Sequence, residues 1–133
     1  NTSFMLDIWR KNSLDKIFKR AYENGIILAG VSAGAGCWFD WILSDSVGPG
    51  LKPLKGISLI SGSCTPHSSE KKRINQFELN IKNAELPPGL AIDDGVAVLF
   101  IDEKPSEVYS SRKNHKAYFI DTNKKISLEE YIK

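Results

Sequence analysis

Helical spacing of apolar residues dominates the start of the chain. Residues 2–11 and 13–24 each carry apolar side chains three or four positions apart, which predicts two amphipathic helices. The predicted buried stripe of the second helix consists of Leu14, Ile17, Phe18 and Ala21. Residues 26–31 then form a mostly apolar run rich in β-branched side chains, which predicts a buried strand.

The middle of the chain continues to alternate between helix and strand. The spacing predicts a helix over residues 33–42, a loop over 44–55, a short strand over 57–61 and a polar helix over 68–84. From residue 90 the apolar period changes to two. This period predicts short strands at 90–93, 96–101, 107–110 and 117–120, followed by a closing helix at 127–133.

This order of elements predicts a single α/β domain over residues 1–133, with a mostly parallel sheet, helices on both faces and a C-terminal antiparallel meander. The strand at 26–31 is expected in the middle of the sheet. A central parallel strand needs a neighbour on each side, but only the strand at 57–61 accompanies it before the meander. We therefore expect a sheet that is incomplete at its N-terminal side.

Composition narrows the classes of function. The net charge is +2 and no basic stripe is interleaved with aromatic residues, so no nucleic-acid partner is expected. The apolar runs are too short for a membrane span, and the first residues lack a signal-peptide pattern. Cys37 and Cys64, together with the high lysine content, favour a reducing cytoplasm over a disulfide scaffold. Cys64 and His67 lack a second pair of ligands, so neither a metal site nor another cofactor is expected.

The segment from Gly30 to Gly36 carries the strongest chemical signal. Its Gly-x-Ser-x-Gly pattern, between a predicted strand and a predicted helix, is typical of a nucleophile elbow with Ser32 at the apex. Only small residues fit around such a turn, because the two backbones approach closely and the nucleophile is strained. The Ala33 N–H is then aimed at any negative charge that forms beside Ser32. An ordinary tight turn remains the alternative.

The chain offers two histidines as the base that would activate Ser32. His67 follows a strand and Pro66, at the sheet edge where functional sites gather in α/β folds. His115 lies among cations at a predicted hairpin tip and is the less favoured base. A role for His115 would correspond to the Ser–acid–His order of α/β-hydrolases, which makes an esterase of that type an explicit alternative.

The acid that orients the imidazole is expected in the segment Asp93-Asp94-Gly95. Asp94 is the first candidate and Asp93 the second, since both follow a predicted strand. Both aspartates could instead simply begin a turn, as Asp-Gly often does. Asp40 and Asp45 are weaker candidates.

These motifs together resemble those of peptidase E, the aspartyl dipeptidases, and their relatives the cyanophycinases. In that family a Gly-x-Ser-Ala-Gly-Ala segment carries the nucleophile, and residues 30–35 match it. A Pro-His pair carries the base, matched by Pro66 and His67, and an acidic segment completes a triad, matched by Asp94. The family usually has Glu at the last position, so Asp94 would have a shorter reach. The implied fold is flavodoxin-like, as in class I glutamine amidotransferases.

The resemblance implies a cytoplasmic serine peptidase without a cofactor, whose substrates are small peptides, including those with an N-terminal aspartate. Arg73 is the expected clamp for the substrate carboxylate, and Gly30 is expected beside the substrate. The chain corresponds to the C-terminal portion of a family member. We expect the remaining half of the sheet, with a second oxyanion donor, to come from a preceding segment, from another chain or from a homo-oligomer. A non-catalytic binding module of the same fold is the alternative.

Overall fold

The computed structural model describes all residues from Asn1 to Lys133. The helices are Thr2–Lys11 (α1), Leu14–Glu23 (α2), Ala33–Gly36 (α3), Lys71–Lys82 (α4) and Leu128–Ile132 (α5). The strands are Phe39–Ser44 (β1), Lys52–Lys55 (β2), Ile60–Pro66 (β3), Gly89–Ile92 (β4), Val96–Ile101 (β5), Lys104–Ser110 (β6), Ala117–Ile120 (β7) and Lys125–Ser127 (β8). None of the helices combines the length and the apolar character that crossing a membrane requires.

Six of the strands form one sheet in the order β2-β1-β3-β4-β7-β8. The central strands β1, β3 and β4 run parallel, whereas β2, β7 and β8 pair with their neighbours in antiparallel fashion. Strands β5 and β6 form a separate antiparallel hairpin. The predicted α/β class is confirmed, and the arrangement is consistent with a flavodoxin-like fold. The C-terminal strands are antiparallel as predicted, but they are divided between two sheets.

Apolar side chains cover both faces of the sheet, because successive residues of a strand point to opposite faces. On one face α4 packs through Phe77 and Ile81 against Ala91 of β4. On the other face the hairpin β5–β6 and α5 cover Leu90, the residue that precedes Ala91. Helix α1 is anchored by the fully buried Leu6, which packs in a third cluster with Cys37 and Ile42. Helices therefore lie on both faces, as predicted.

The predicted strand at residues 26–31 is absent from the sheet, and its expected central position is wrong. Ile27 and Val31 are 89% and 86% exposed, and no other strand of the chain runs beside them. The segment is fastened only at its ends, where the Ile26 N–H donates to the Ala21 carbonyl and the Gly34 N–H donates to the Val31 carbonyl. A strand exists only through hydrogen bonds to a neighbour, so an apolar run without one remains extended and unpaired.

Four further expectations are corrected. The helix predicted over residues 33–42 ends at Gly36, and β1 begins at Phe39 because aromatic and β-branched residues there fit a buried strand. The predicted loop 44–55 contains β2, which pairs with β1, and the strand predicted at 57–61 begins only at Ile60. The apolar stripe of α2 is not buried, and Ile17 is 45% exposed.

The burial of both cysteines predicts slow thiol chemistry in the folded protein. Cys37 and Cys64 are free and fully buried. Burial raises the pKa of the Cys37 thiol to about 12 and raises that of Cys64 as well, since the thiolate is disfavoured away from water. The thiolate is the reactive form. We therefore expect iodoacetamide at pH 8 to modify neither cysteine in the folded protein and both in the urea-unfolded protein, as measured by intact mass. Rapid modification in the folded state would contradict this packing.

Candidate active site

The parallel pair β3 and β4 positions two of the candidate side chains. In the register of the pair, Pro66 lies opposite Ile92 at the carboxyl ends of both strands. His67 directly follows Pro66, and Asp94 follows Ile92 by two residues. Because parallel strands end at the same edge of a sheet, both side chains emerge at that edge. Helix α4 joins the two strands, so the unit is a β–α–β crossover.

Ser32 reaches the same place from the strained turn that precedes α3. Its φ of 55° and ψ of −115° lie outside the regions that residues with a side chain normally adopt. A Cβ on Gly30 would collide with the carbonyl oxygen of Gly34, so only glycine allows the chain to close on itself here. The structure therefore places Ser32 at the apex of a tight, strained turn that leads into a helix, although no paired strand precedes it.

Ser32, His67 and Asp94 form a continuous chain of hydrogen bonds. Ser32 Oγ lies 2.8 Å from His67 Nε2, and His67 Nδ1 lies 2.6 Å from Asp94 Oδ1. An ionised carboxylate only accepts hydrogen bonds, so Nδ1 carries a hydrogen and donates a hydrogen bond to Asp94. In a neutral imidazole with this tautomer, Nε2 is the acceptor and the Ser32 hydroxyl donates to it. The arrangement can remove a proton from Ser32 Oγ.

The backbone of His67 is also strained. Its φ is 58°, in the left-handed region, and its carbonyl accepts a hydrogen bond from the Glu70 N–H. This tight turn redirects the chain from β3 into α4 and turns the imidazole toward the elbow. Sterically costly conformations in non-glycine residues concentrate at functional sites. Here two residues with such conformations, Ser32 and His67, supply the two side chains that are joined by the hydrogen bond between Oγ and Nε2.

The two neighbouring aspartates have different partners. The hydrogen bond from His67 and then that from the Ser69 hydroxyl lower the pKa of Asp94, which stays ionised near neutral pH. Asp93 instead accepts hydrogen bonds from Ser68 Oγ at 2.6 Å and from the Lys116 N–H at 3.0 Å. Asp94 is therefore the carboxylate that contacts the imidazole, and Asp93 ties the surrounding loops together.

The remaining candidates lie around this chain of hydrogen bonds in different ways. The Ala33 N–H directly follows Ser32 and has no hydrogen-bond acceptor within the protein. His115 does not contact Ser32; its Nδ1 lies 2.8 Å from the carbonyl oxygen of Asp94. Asp40 lies on β1, where its carboxylate accepts a hydrogen bond from the Gly62 N–H. No group of three or more His, Cys, Asp or Glu side chains is arranged to hold a metal ion.

Arg73 is buried at the start of α4 and makes no contact with the three linked side chains. Its guanidinium donates a long hydrogen bond of 3.4 Å to the Leu43 carbonyl and forms ion pairs with Asp45 and Glu70 at 3.7 and 3.5 Å. Nε is the guanidinium atom that pairs with Glu70, and it is buried and makes no hydrogen bond. Its expected role as a carboxylate clamp stays a prediction.

Sequence reasoning missed one polar contact of the site. Ser69 Oγ donates to Asp94 Oδ2 at 3.0 Å, so the carboxylate has a second donor besides the imidazole. The available signal was the pair of hydroxyl residues immediately after His67. On its own, a Ser-Ser pair before a helix indicates only a capping or turn segment.

Comparison with known proteins gives two matches. The model of peptidase family S51 matches residues 1–108. An uncharacterized peptidase, YgaJ, from Bacillus subtilis (strain 168) is 42% identical over 119 residues, which cover 89% of this chain and 51% of that protein. The chain thus spans about half the length of this curated relative.

The lowered pKa of Asp94 predicts a pH-dependent contribution to stability. A carboxylate whose pKa is lowered by folding stabilises the folded state above its ordinary pKa, and this contribution is lost as the pH falls through the lowered value. The variant Asp94→Asn lacks this titration. We therefore expect the difference in free energy of unfolding between wild type and Asp94→Asn to shrink below about pH 4, as measured by urea denaturation at several pH values.

Asp7→Asn is the matched control, since Asp7 is exposed on α1 and accepts no side-chain hydrogen bond. Its difference from wild type should change little over the same range. A constant difference for Asp94→Asn between pH 7 and pH 3 would argue against an ionised Asp94 paired with His67.

Proposed function

The chain belongs to peptidase family S51, and on this premise we propose that it is the C-terminal part of a serine peptidase domain in which Ser32 is the nucleophile. One observation carries the proposal. Ser32 Oγ, His67 and Asp94 are joined by hydrogen bonds of 2.8 and 2.6 Å, in the order that nucleophile, base and orienting acid require. Ser32 also occupies a strained turn in which its hydroxyl is held against the base.

In the first half of the proposed reaction, Ser32 Oγ attacks the carbonyl carbon of a peptide bond. His67 Nε2 takes the hydroxyl proton, and the resulting imidazolium is stabilised by the Asp94 carboxylate. The carbonyl oxygen becomes negatively charged, and the unpaired Ala33 N–H donates to it. When the intermediate collapses, the C–N bond breaks, and the leaving amine takes the proton from His67. The product is an ester between the acyl group and Ser32.

In the second half, water hydrolyses this ester. His67 removes a proton from the water as it attacks the ester carbonyl, and returns that proton to Ser32 Oγ when the C–O bond breaks. The carboxylic acid product leaves, and the serine hydroxyl is regenerated. No step requires a metal ion or a cofactor, because the imidazole handles each proton.

The proposed substrates are small peptides, with an N-terminal aspartate as the preferred residue. This part of the proposal depends on the family resemblance and on the chemistry of Arg73. The Arg73 guanidinium carries the charge and the forked donors that a carboxylate needs, and its ion pairs with the exposed Asp45 and Glu70 are long, at 3.7 and 3.5 Å. Gly30, two residues before Ser32, is proposed to lie beside the bound peptide.

Removing the nucleophile tests the proposed reaction. Ser32→Ala in the full-length protein should lower the rate of hydrolysis of dipeptides with an N-terminal aspartate by about 10⁴-fold or more, because no other group replaces Oγ. A fluorophosphonate probe should label the wild type and not the variant. Ser61→Ala is the control, since Ser61 is exposed on β3 and makes no side-chain hydrogen bond.

Two results would contradict the proposal in different ways. Retained hydrolysis by Ser32→Ala would remove Ser32 from its role. A wild-type protein that neither reacts with the probe nor hydrolyses peptides would indicate a non-catalytic binding module of the same fold.

The unpaired segment before the elbow leads to a second prediction. Ile27 and Val31 are almost completely exposed, and the backbone between them has no strand partner. We propose that residues 26–31 pair with strands from outside this chain, either elsewhere in the full-length protein or in a second copy. Such pairing would support the strained turn at Ser32. We therefore expect the full-length protein to hydrolyse peptides at least about 10-fold faster than the 133-residue chain alone. Equal turnover, with the 133-residue chain kept monomeric at the concentration used, would refute the proposed pairing.

A further inference from the structure

The Asp94 carboxylate is held at both of its oxygens by one short loop. His67 Nδ1 donates to Oδ1 at 2.6 Å, and Ser69 Oγ donates to Oδ2 at 3.0 Å. The two donors are separated by a single residue in sequence. With both oxygens occupied, rotation of the carboxylate away from the imidazole would break two hydrogen bonds instead of one.

This second hydrogen bond is needed because Asp94 is not confined by packing. Its side chain is 36% exposed, and it projects from a turn that continues into Gly95, whose φ is 77°. A carboxylate in such a place samples several orientations in water. Orienting an imidazole requires the acid to hold one orientation within a few tenths of an ångström and about 10–20°. Ser69 supplies a restraint that the surrounding core does not.

Hydrogen bonds of the neighbouring Ser68 hold the backbone at Ser69 in place, although the Ser69 side chain is exposed. The neighbouring Ser68 is buried, its N–H donates to the Ile92 carbonyl at 3.1 Å, and its hydroxyl donates to Asp93. These bonds connect the loop after β3 to the loop after β4 on either side of the His67–Asp94 contact. The position of the Ser69 hydroxyl relative to Asp94 is thus set by backbone that has little freedom.

The other groups near Asp94 do not provide this restraint. His115 Nδ1 contacts the backbone carbonyl of Asp94 and not its carboxylate. The charge of Arg112 acts on Asp94 without a hydrogen bond. Asp93 is occupied by Ser68 and by the Lys116 N–H. Ser69 is the one side chain besides His67 that donates to the Asp94 carboxylate.

We propose that Ser69 is a positioning residue of the triad, which fixes the Asp94 carboxylate in the orientation that holds His67 against Ser32. The inference rests on the proposed peptidase function. Ser69 does not touch Ser32, so it acts through Asp94 and His67.

The test compares variants of the full-length protein. Ser69→Ala should lower kcat by about 10-fold, the usual effect of losing one hydrogen bond to a charged group, with KM unchanged. Ser69→Thr keeps the hydroxyl and should restore most of the lost rate. Ser111→Ala is the matched control, because Ser111 is exposed and donates to the Gly95 carbonyl beside Asp94 without reaching the carboxylate. It should leave kcat unchanged.

A double-mutant cycle distinguishes positioning from a general structural effect. In an Asp94→Ala background, Ser69→Ala should cause no further loss, because the group that it positions is already absent. An equal loss in both backgrounds would show that Ser69 does not act through Asp94. The rate of labelling of Ser32 by a fluorophosphonate should follow the same pattern.

The outcomes separate this inference from the proposed function. If Asp94→Ala lowers kcat strongly and Ser69→Ala leaves it at the wild-type value, the positioning role is wrong and the triad stands. If Ser32→Ala retains full activity, the proposed function itself fails. The positioning role is established if Ser69→Ala lowers kcat, Ser69→Thr restores it, and Ser69→Ala causes no further loss in the Asp94→Ala background.

Discussion

The site depends on the register between β3 and β4. With Pro66 opposite Ile92, the first residue beyond one strand and the second residue beyond the other are brought to hydrogen-bonding distance. Successive residues of a strand point to opposite faces, so a shift of the pairing by one residue would send the following side chains to different sides. The buried contacts of α4 with the sheet hold this register, since slippage would expose Phe77 and Ala91. The packing of the core therefore also fixes the geometry of the site.

Backbone strain is the second feature that the packing must support. Ser32 and His67 both have positive φ values, and each such conformation costs roughly 1–3 kcal/mol in a residue with a side chain. The two strained residues face each other across a hydrogen bond of 2.8 Å. The strained conformation of His67 is supported by α4 and by the hydrogen bonds between the loops after β3 and β4. Ser32 has firm support on one side only, from α3 against β3, because the segment before it is unpaired.

Elements fixed by local patterns could be predicted from the sequence, whereas elements that depend on distant neighbours could not. The elbow, with Gly30 against Gly34, is dictated by local sterics, and α1, β5 and β7 have the predicted bounds because their patterns are local. The strand at 26–31 could not be judged in this way, since its existence depends on neighbours that an apolar run does not encode. The same holds for the stripe of α2, which is amphipathic but finds no surface of this chain to cover completely. Ser32, His67 and Asp94 were found because each lies beside a turn or strand end with a recognisable residue pattern, and their catalytic roles stay predictions.

Aspartate at position 94 is consistent with this geometry, although the family resemblance favours glutamate. A glutamate side chain is longer by one methylene, so it suits a backbone that lies farther from the imidazole. Here the register brings the two loops close enough that the shorter Asp94 reaches Nδ1 at 2.6 Å. A shorter side chain also has one fewer rotatable bond to fix, which lowers the entropy cost of holding it. The hydrogen bond from Ser69 restricts the freedom that remains. The close approach of the two loops thus lets the shorter Asp94 take the place that the resemblance gives to glutamate.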